Sequence, residues 1–298
     1  LAAAGYSSKT VITYIEGHRE QKLCMHESRC HTNKKERKQI MGMLDNIQTG
    51  RENKPPRIMI YGSEGVGKST FGASAPGAIF IQTEDGLGEI DCRKFPLAHS
   101  LSEVIAELSA LRDEAHEFQS VVVDSVDWLE RLIFDEVCRE YGVRSIEKAD
   151  GGYGKGYTHA LTHWRKVVNL LQELRDKRGM MVILVAHAKV ERFEDPENAA
   201  YDRYTPRLHK HAASLIAEWV DAVLFANKKF RVTKENAGFN GERAIAAPIG
   251  ADGGERIIRT VGSPACIAKN RYGLPSEIPL SWQAFIEAYT KIEENHHE

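Results

Sequence analysis

The chain has 298 residues, 42% of them hydrophobic and 28% charged, enough for one large α/β core with appendages. Lys plus Arg number 40 against 42 Asp plus Glu, and the formal charge of -2 provides no overall basic field, so any nucleic-acid site has to be local. Cys24, Cys30, Cys92, Cys138 and Cys266 are too scattered for a secreted disulfide framework, and no apolar run approaches the roughly 20 residues of a membrane span or makes the core of a signal peptide. The expectation is a soluble, unexported protein of a reducing cytoplasm with no membrane partner.

Residues 1–42 have no clear apolar period and carry the basic run Lys34-Lys35-Glu36-Arg37-Lys38. Cys24, His26, Cys30 and His31 could gather a metal but lack the paired short knuckles of a zinc finger, so the segment reads first as a loose or non-native appendage, with Met41 or Met43 as a natural start and metal binding left open. Residues 43–298 read as the folded domain. From Arg57 short apolar strands alternate with amphipathic helices, the pattern of a mainly parallel sheet covered on both faces. The strands expected are Ile58 to Tyr61, Ala78 to Gln82, Val121 to Val123, Met181 to Ala186 and Ala222 to Ala226. Leu101, Val104, Ile105, Leu108 and Leu111 keep helical spacing behind a Ser100/Glu103 capping box. A second stripe, Leu161 to Leu174, ends near Arg178-Gly179. Beyond Phe230 short β segments with Gly-rich turns predict hairpins, around Phe230 to Thr233, Ala244 to Ala247 and Arg256 to Thr260, before a closing helix through Trp282, Phe285 and Tyr289.

Gly62-Ser63-Glu64-Gly65-Val66-Gly67-Lys68-Ser69 fits G-x-x-x-x-G-K-[ST] between a strand and a helix that opens with Thr70. In that pattern successive backbone N–H groups face phosphates, Lys68 reaches the β- and γ-phosphates, and Ser69 ligates Mg²⁺. The ligand expected is ATP with Mg²⁺. Val121-Val122-Val123-Asp124 ends an apolar strand in a carboxylate, which makes Asp124 the second Mg²⁺-organising residue, whereas Asp127 reads as a helix-start residue. Phe80-Ile81-Gln82-Thr83-Glu84-Asp85 places two further acids at the carboxyl edge of the sheet.

A glutamate at that place, rather than beside Asp124, resembles the RecA-type branch of P-loop ATPases. The resemblance implies that Glu84 polarises the attacking water, with Asp85 the second choice. The strand Met181 to His187 is similar to the RecA-family strand whose last polar residue senses the γ-phosphate. That family commonly has Gln there, and His187 is either the sensor or a bland strand-end histidine. Two segments lie where RecA-like proteins carry DNA-binding loops. One is Asp150 to Tyr157 with Tyr153, Lys155 and Tyr157; the other follows His187 with Lys189, Arg203, Arg207 and Lys210. Acidic neighbours dilute the second, so a solvated surface loop stays open beside DNA contact. Ala268-Lys269-Asn270-Arg271-Tyr272-Gly273 resembles the K-x-R segment of DnaB-type hexameric helicases, which implies that Lys269 and Arg271 act on ATP of the adjacent subunit, an exposed basic turn being the alternative.

Together these segments, about Arg57 to Pro275, resemble compact RecA-like, AAA-type ATPases of bacteriophages related to the Sak-type single-strand-annealing proteins. The implied fold is a RecA-like α/β P-loop NTPase, a twisted mainly parallel sheet flanked by helices with C-terminal β-hairpins. The implied activity is ATP hydrolysis coupled to single-stranded DNA binding, annealing or recombination in phage DNA metabolism. The implied assembly is a homo-oligomeric ring or filament with nucleotide at its interfaces, and a single-strand-binding protein is a candidate partner. Two other readings stay open. One is a helicase motor, favoured by the K-x-R segment and disfavoured by the lack of a sizeable N-terminal assembly domain. The other is a nucleotide-driven switch with no DNA contact.

Overall fold

The computed structural model describes residues 54–236, 242–249 and 254–294, together with 44, 47, 49, 50 and 52. The basic run and the Cys24, His26, Cys30 and His31 group lie outside the described residues. Asn53–Glu298 forms one compact unit.

β1 (Arg57–Gly62), α1 (Lys68–Ala73), β2 (Ala78–Gln82) and the short β3 (Arg93–Lys94) come first. Then follow α2 (Leu101–Asp113), β4 (Ser120–Asp124), α3 (Val126–Glu140) and, past a 3-10 turn at Ile146–Gly151, α4 (Lys155–Arg178). β5 (Met181–Phe193), β6 (Tyr201–Pro206), α5 (Lys210–Trp219) and β7 (Ala222–Lys228) continue the chain. The last elements are β8 (Phe230–Asn236), β9 (Glu242–Pro248), β10 (Arg256–Arg259), β11 (Lys269–Asn270), β12 (Glu277–Pro279) and α6 (Trp282–Glu294).

The main sheet runs β12-β10-β7-β1-β5-β4-β2-β3, with β6 paired to β5 and β11 to β7. From β7 through β3 every neighbour on this path is parallel, whereas β10, β11 and β12 join antiparallel. β8 and β9 make a separate hairpin. The sheet is apolar on both faces because both are covered. Met59, Tyr61, Val121, Val123, Val182 and Leu184 face the layer of α2, α3, α4 and α5, while Ile58, Ile60, Val122, Ile183 and Val185 face α1 and α6. On the second face Phe71 of α1 meets Trp282 and Phe285 of α6 edge-on, with ring centroids 5.2 and 5.8 Å apart.

Local rules explain most boundaries. The Ser100 hydroxyl accepts from the Glu103 N–H at 3.3 Å, and the Glu103 carboxylate accepts from the His99 N–H at 2.8 Å, which fixes the start of α2. Gly179, at φ 67, ends α4 in the left-handed region, with its N–H on the Leu174 carbonyl. Several elements exceed their expected lengths, α4 and β5 by the most. α4 starts at Lys155, before its apolar stripe, and β5 continues past Ala186 to Phe193 because β6 pairs with it antiparallel from Ala188↔Pro206 to Phe193↔Tyr201. The segment after His187 is therefore half of a hairpin rather than a loop.

The amino edge of the sheet is tied by Asp221, which is 7% exposed. Its carboxylate accepts from Arg57 Nε and Nη2 at 3.1 and 2.7 Å, from Arg175 Nη2 at 3.3 Å and from the Tyr272 hydroxyl at 3.1 Å. Burial alone would raise the Asp221 pKa, but these donors, led by Arg57, outweigh it and hold the group below its ordinary value. The phosphate-loop residues lie at the other end of the same strands.

Candidate nucleotide site

β1 ends at Gly62, in register with His187 of β5 on one side and Ala226 of β7 on the other. A Cβ on Gly62 would sit 2.2 Å from the Ala226 carbonyl oxygen, so the first glycine of the loop is required by the approach of β7. Gly67 takes φ 112 as the residue before α1, and the Phe71 N–H returns to its carbonyl at 3.0 Å. Lys68 is buried, and its ammonium donates to the Gly62 and Ser63 carbonyls at 3.2 and 2.9 Å, across the mouth of the loop. Burial lowers the Lys68 pKa against the opposing effect of the Asp124, Glu84, Asp127 and Glu64 carboxylates.

Asp124 ends β4, which is separated from β1 by β5. It is 2% exposed, and neither carboxylate oxygen has a hydrogen-bond partner of ordinary geometry. Burial raises its pKa, and the nearby Ser69 hydroxyl and Lys68 ammonium offset part of that. A buried, unpaired carboxylate beside a serine hydroxyl is a donor set of hard oxygens and fits Mg²⁺, which is held by one or two carboxylates plus phosphate oxygens and water. Among the described residues no cage of three or more His, Cys, Asp or Glu side chains competes with that arrangement.

Glu84 follows β2 and turns back over β4, where its Oε2 accepts from the Ser125 hydroxyl at 3.2 Å. Its Oε1 lies 3.8 Å from His187 Nε2. Burial pushes the Glu84 pKa up, His187 draws it down, and the Asp124 and Asp127 carboxylates push it up further, with a raised value as the net result. Asp85, the second choice for the base, is exposed.

His187 is held from behind by Asp127, the residue that the sequence marked only as a helix start. Asp127 is buried and accepts from the His187 N–H at 3.0 Å, from His187 Nδ1 at 3.1 Å, and from Arg207 Nε and Nη2 at 3.0 and 2.7 Å. Burial would raise its pKa, but the donors from His187 and Arg207 win and hold it well below the ordinary carboxylate range. One turn further along α3, buried Glu130 accepts from the His209 N–H at 2.9 Å, and burial pushes its pKa up to about 7. The only sequence signal for this pair was a second and third acid, at i+3 and i+6, behind Asp124.

Beside the loop, Val66, Gly67, Thr70, Phe71, Arg256, Leu280 and Trp282 line an open hollow of about 140 Å³. It flanks α1 on the side of β10 and α6.

Over residues 54–272 the chain matches the AAA domain family. The chain belongs to that family. Within this AAA domain the phosphate loop, Asp124 and His187 of β5 form one contiguous site. The chain is 26% identical over 172 residues to the SPbeta prophage-derived uncharacterized protein YorG of Bacillus subtilis (strain 168), an alignment covering 56% of this chain and 49% of that protein. This chain thus spans about half the length of that relative. It also aligns with the crystal structure of the RadB recombinase at 12% identity and a TM-score of 0.41, over 78% of this chain and 90% of the other. No described helix of the AAA domain is long and apolar enough to cross a membrane.

The remaining sequence-derived residues are distributed differently. Tyr153 is fully exposed, at φ 56 in the turn between the 3-10 segment and α4. Lys155 starts α4 with its ammonium 3.7 Å from Asp150. Tyr157 is not an open stacking platform, because its ring stacks on His209 at 4.0 Å and meets Phe134 edge-on at 5.5 Å. Lys189 donates to the Leu208 carbonyl at 3.1 Å, the Arg203 guanidinium lies 3.8 Å over the Phe193 ring, and Lys210 is exposed. Arg207 is drawn to Asp127 and the phosphate loop rather than outward.

Lys269 and Arg271 do not form a pair of free cations. Only Lys269–Asn270 is extended, against Ala222 and Val223 at the amino edge of the sheet, away from Gly62. The Lys269 ammonium caps the last turn of α5 through the Ala217, Glu218 and Val220 carbonyls at 2.6, 3.2 and 2.7 Å. Arg271 turns to Asp221 at 3.6 Å. The strand stops after two residues, so Arg271 lies outside the extended run that holds Lys269.

Proposed function

We propose that this chain is a Mg²⁺-dependent ATPase whose turnover is coupled to single-stranded DNA in annealing or recombination. The observation that carries the nucleotide part is the buried, unpartnered Asp124 carboxylate beside Ser69 at the mouth of a complete phosphate loop. Ser69 and Asp124 would hold Mg²⁺, which supplies charge neutralisation between the β- and γ-phosphates. The loop N–H groups and Lys68 bind the phosphates, and the hollow beside Thr70 and Arg256 receives the base and ribose. Glu84 takes a proton from the attacking water at its carboxylate, with the Ser125 hydroxyl fixing the other oxygen. His187 Nε2 lies 3.8 Å from Glu84 Oε1, and from there it would report whether a terminal phosphate is present.

The DNA part is supported by a fully exposed Tyr153 near Lys155 and by the exposed Lys210 at the start of α5. A homo-oligomer with a single-strand-binding protein as partner belongs to the same reading. ATPase rates with and without single-stranded DNA test it, with Lys68→Ala as the control. Stimulation by DNA in the wild type and its loss in Lys68→Ala support the proposal, and an unchanged rate with no salt-dependent DNA binding overturns the coupling. One observation favours a second reading, a nucleotide-driven switch without DNA contact. The cations of the β5–β6 hairpin are already engaged, Lys189 by Leu208, Arg192 by Asp202 at 3.5 Å and Arg203 by Phe193.

A further inference from the structure

We infer that Arg207 is a phosphate-contacting residue of the chain's own nucleotide site, held against Glu64 until the terminal phosphate replaces that carboxylate. The inference rests on the ATP reading above. Arg207 follows β6, and its N–H donates to the His187 carbonyl at 2.8 Å, which fixes its backbone beside the part of β5 that is in register with Gly62. The guanidinium has two sides. Nε and Nη2 are bound to the buried Asp127 Oδ2, whereas Nη1 lies 3.8 Å from Glu64 Oε1. Glu64 is the third residue of the phosphate loop, and its side chain is 78% exposed.

Each partner has a different fate when a triphosphate arrives. Asp127 stays, because it is 4% exposed and also carries His187. Glu64 is a carboxylate of a loop whose pattern surrounds phosphate with N–H donors, so a polyanion in the loop repels it, and its exposure lets it leave at little cost. Arg207 then presents donors on Nη1 and Nη2 to the anion that took its place. A guanidinium anchored on one edge by a buried carboxylate is already oriented for such a contact on the other. ADP, lacking the γ-phosphate, would leave the Glu64–Arg207 pair in place, so the exchange distinguishes the two nucleotides. It also connects the site to the β5–β6 hairpin, through the hydrogen bond from Arg207 to His187.

Calorimetric titration of the full chain with Mg-ADP and with a non-hydrolysable Mg-ATP analogue tests this in the wild type, Arg207→Ala, Arg207→Lys and Glu64→Gln, with melting curves as a check of folding. Arg207→Ala is expected to lose about 10- to 100-fold of triphosphate affinity, the effect of one charge-assisted hydrogen bond, while ADP affinity changes less than about twofold. Arg207→Lys recovers part of the loss. Glu64→Gln tightens the triphosphate several-fold, and this gain vanishes when Arg207→Ala is added. Equal weakening of both nucleotides in Arg207→Ala would make Arg207 a structural brace of Asp127 and overturn the inference. If Arg207→Ala does not fold, unchanged triphosphate affinity in Glu64→Gln overturns it instead. A wild-type chain that binds neither nucleotide refutes the ATP reading and this assignment together, whereas normal ATP binding with no discrimination at Arg207 refutes the assignment alone.

Discussion

Asp127 grips His187 twice, accepting its backbone N–H at 3.0 Å and its Nδ1 at 3.1 Å. A carboxylate held ionised is only an acceptor, so Nδ1 carries the proton and Nε2 is the atom turned toward Glu84. Asp127→Ala leaves His187 and Arg207 without their shared acceptor and is expected to cost about 3 kcal/mol, the low end for breaking a buried pair because Arg207 is partly exposed. The Asp127 pKa is lower folded than unfolded. Its contribution is therefore complete above the ordinary value of 3.8 and is lost as pH falls through the lower folded value. Urea unfolding of wild type and Asp127→Asn at descending pH checks this: the gap between them should hold above that value and close only in strong acid.

Glu84→Gln should keep ATP affinity and lose about 10²–10⁴-fold in turnover, the usual worth of general-base assistance. The proposed base, Glu84, acts ionised, and burial raises its pKa. The acid limb of the wild-type turnover profile is therefore expected to fall at a pH above the ordinary glutamate value of 4.5. A rate profile for both forms, measured at saturating Mg-ATP, decides the point. Near-normal turnover in Glu84→Gln moves the base elsewhere.

Single-stranded DNA affinity should drop by about 1–3 kcal/mol in Tyr153→Ala, because a fully exposed ring is available for base stacking. Lys210→Ala should lower the slope of log affinity against log salt by about 1. Tyr157→Phe should leave DNA affinity unchanged, since that ring is already stacked on His209. Fluorescence anisotropy with a labelled oligonucleotide over a salt series measures all three, and no response from Tyr153 or Lys210 favours the switch reading.

Much of this arrangement is legible along the chain, and the reason is local. The phosphate loop is contiguous, Asp124 ends an uninterrupted apolar strand, and the Ser100/Glu103 box lies within four residues, so short-range rules reach them. The Asp127, His187 and Arg207 cluster is not local. Its members are 60 and 80 residues from Asp127, and the parallel register and the hairpin bring them together. Tyr157 and Lys269 misled for a related reason. An aromatic or a cation in a polar stretch reads as exposed until its tertiary partner, here His209 and the carbonyls of α5, is known.

Lys269→Ala strips three carbonyls at the end of α5 of their donor and is expected to destabilise the fold by about 1–3 kcal/mol, readable in urea titration. Arg271→Ala is expected to be milder, because its side chain is 55% exposed and Asp221 keeps Arg57 and Arg175. Mixing Lys68→Ala with Arg271→Ala chains tests whether Arg271 serves a neighbouring copy. Recovery above the sum of the two separate rates would establish that role, and a fully active Arg271→Ala chain would end it.

β5 has one property that its two halves do not have separately. It enters the middle of the sheet at Met181, passes the phosphate loop at His187 and continues without a break to Phe193, braced along that outer stretch by β6. From His187 to Phe193 an extended strand covers about 20 Å. One paired strand of that length therefore makes the residue beside the phosphate loop, His187, and the hairpin tip, where Arg192, Phe193 and Tyr201 stand, parts of a single hydrogen-bonded element.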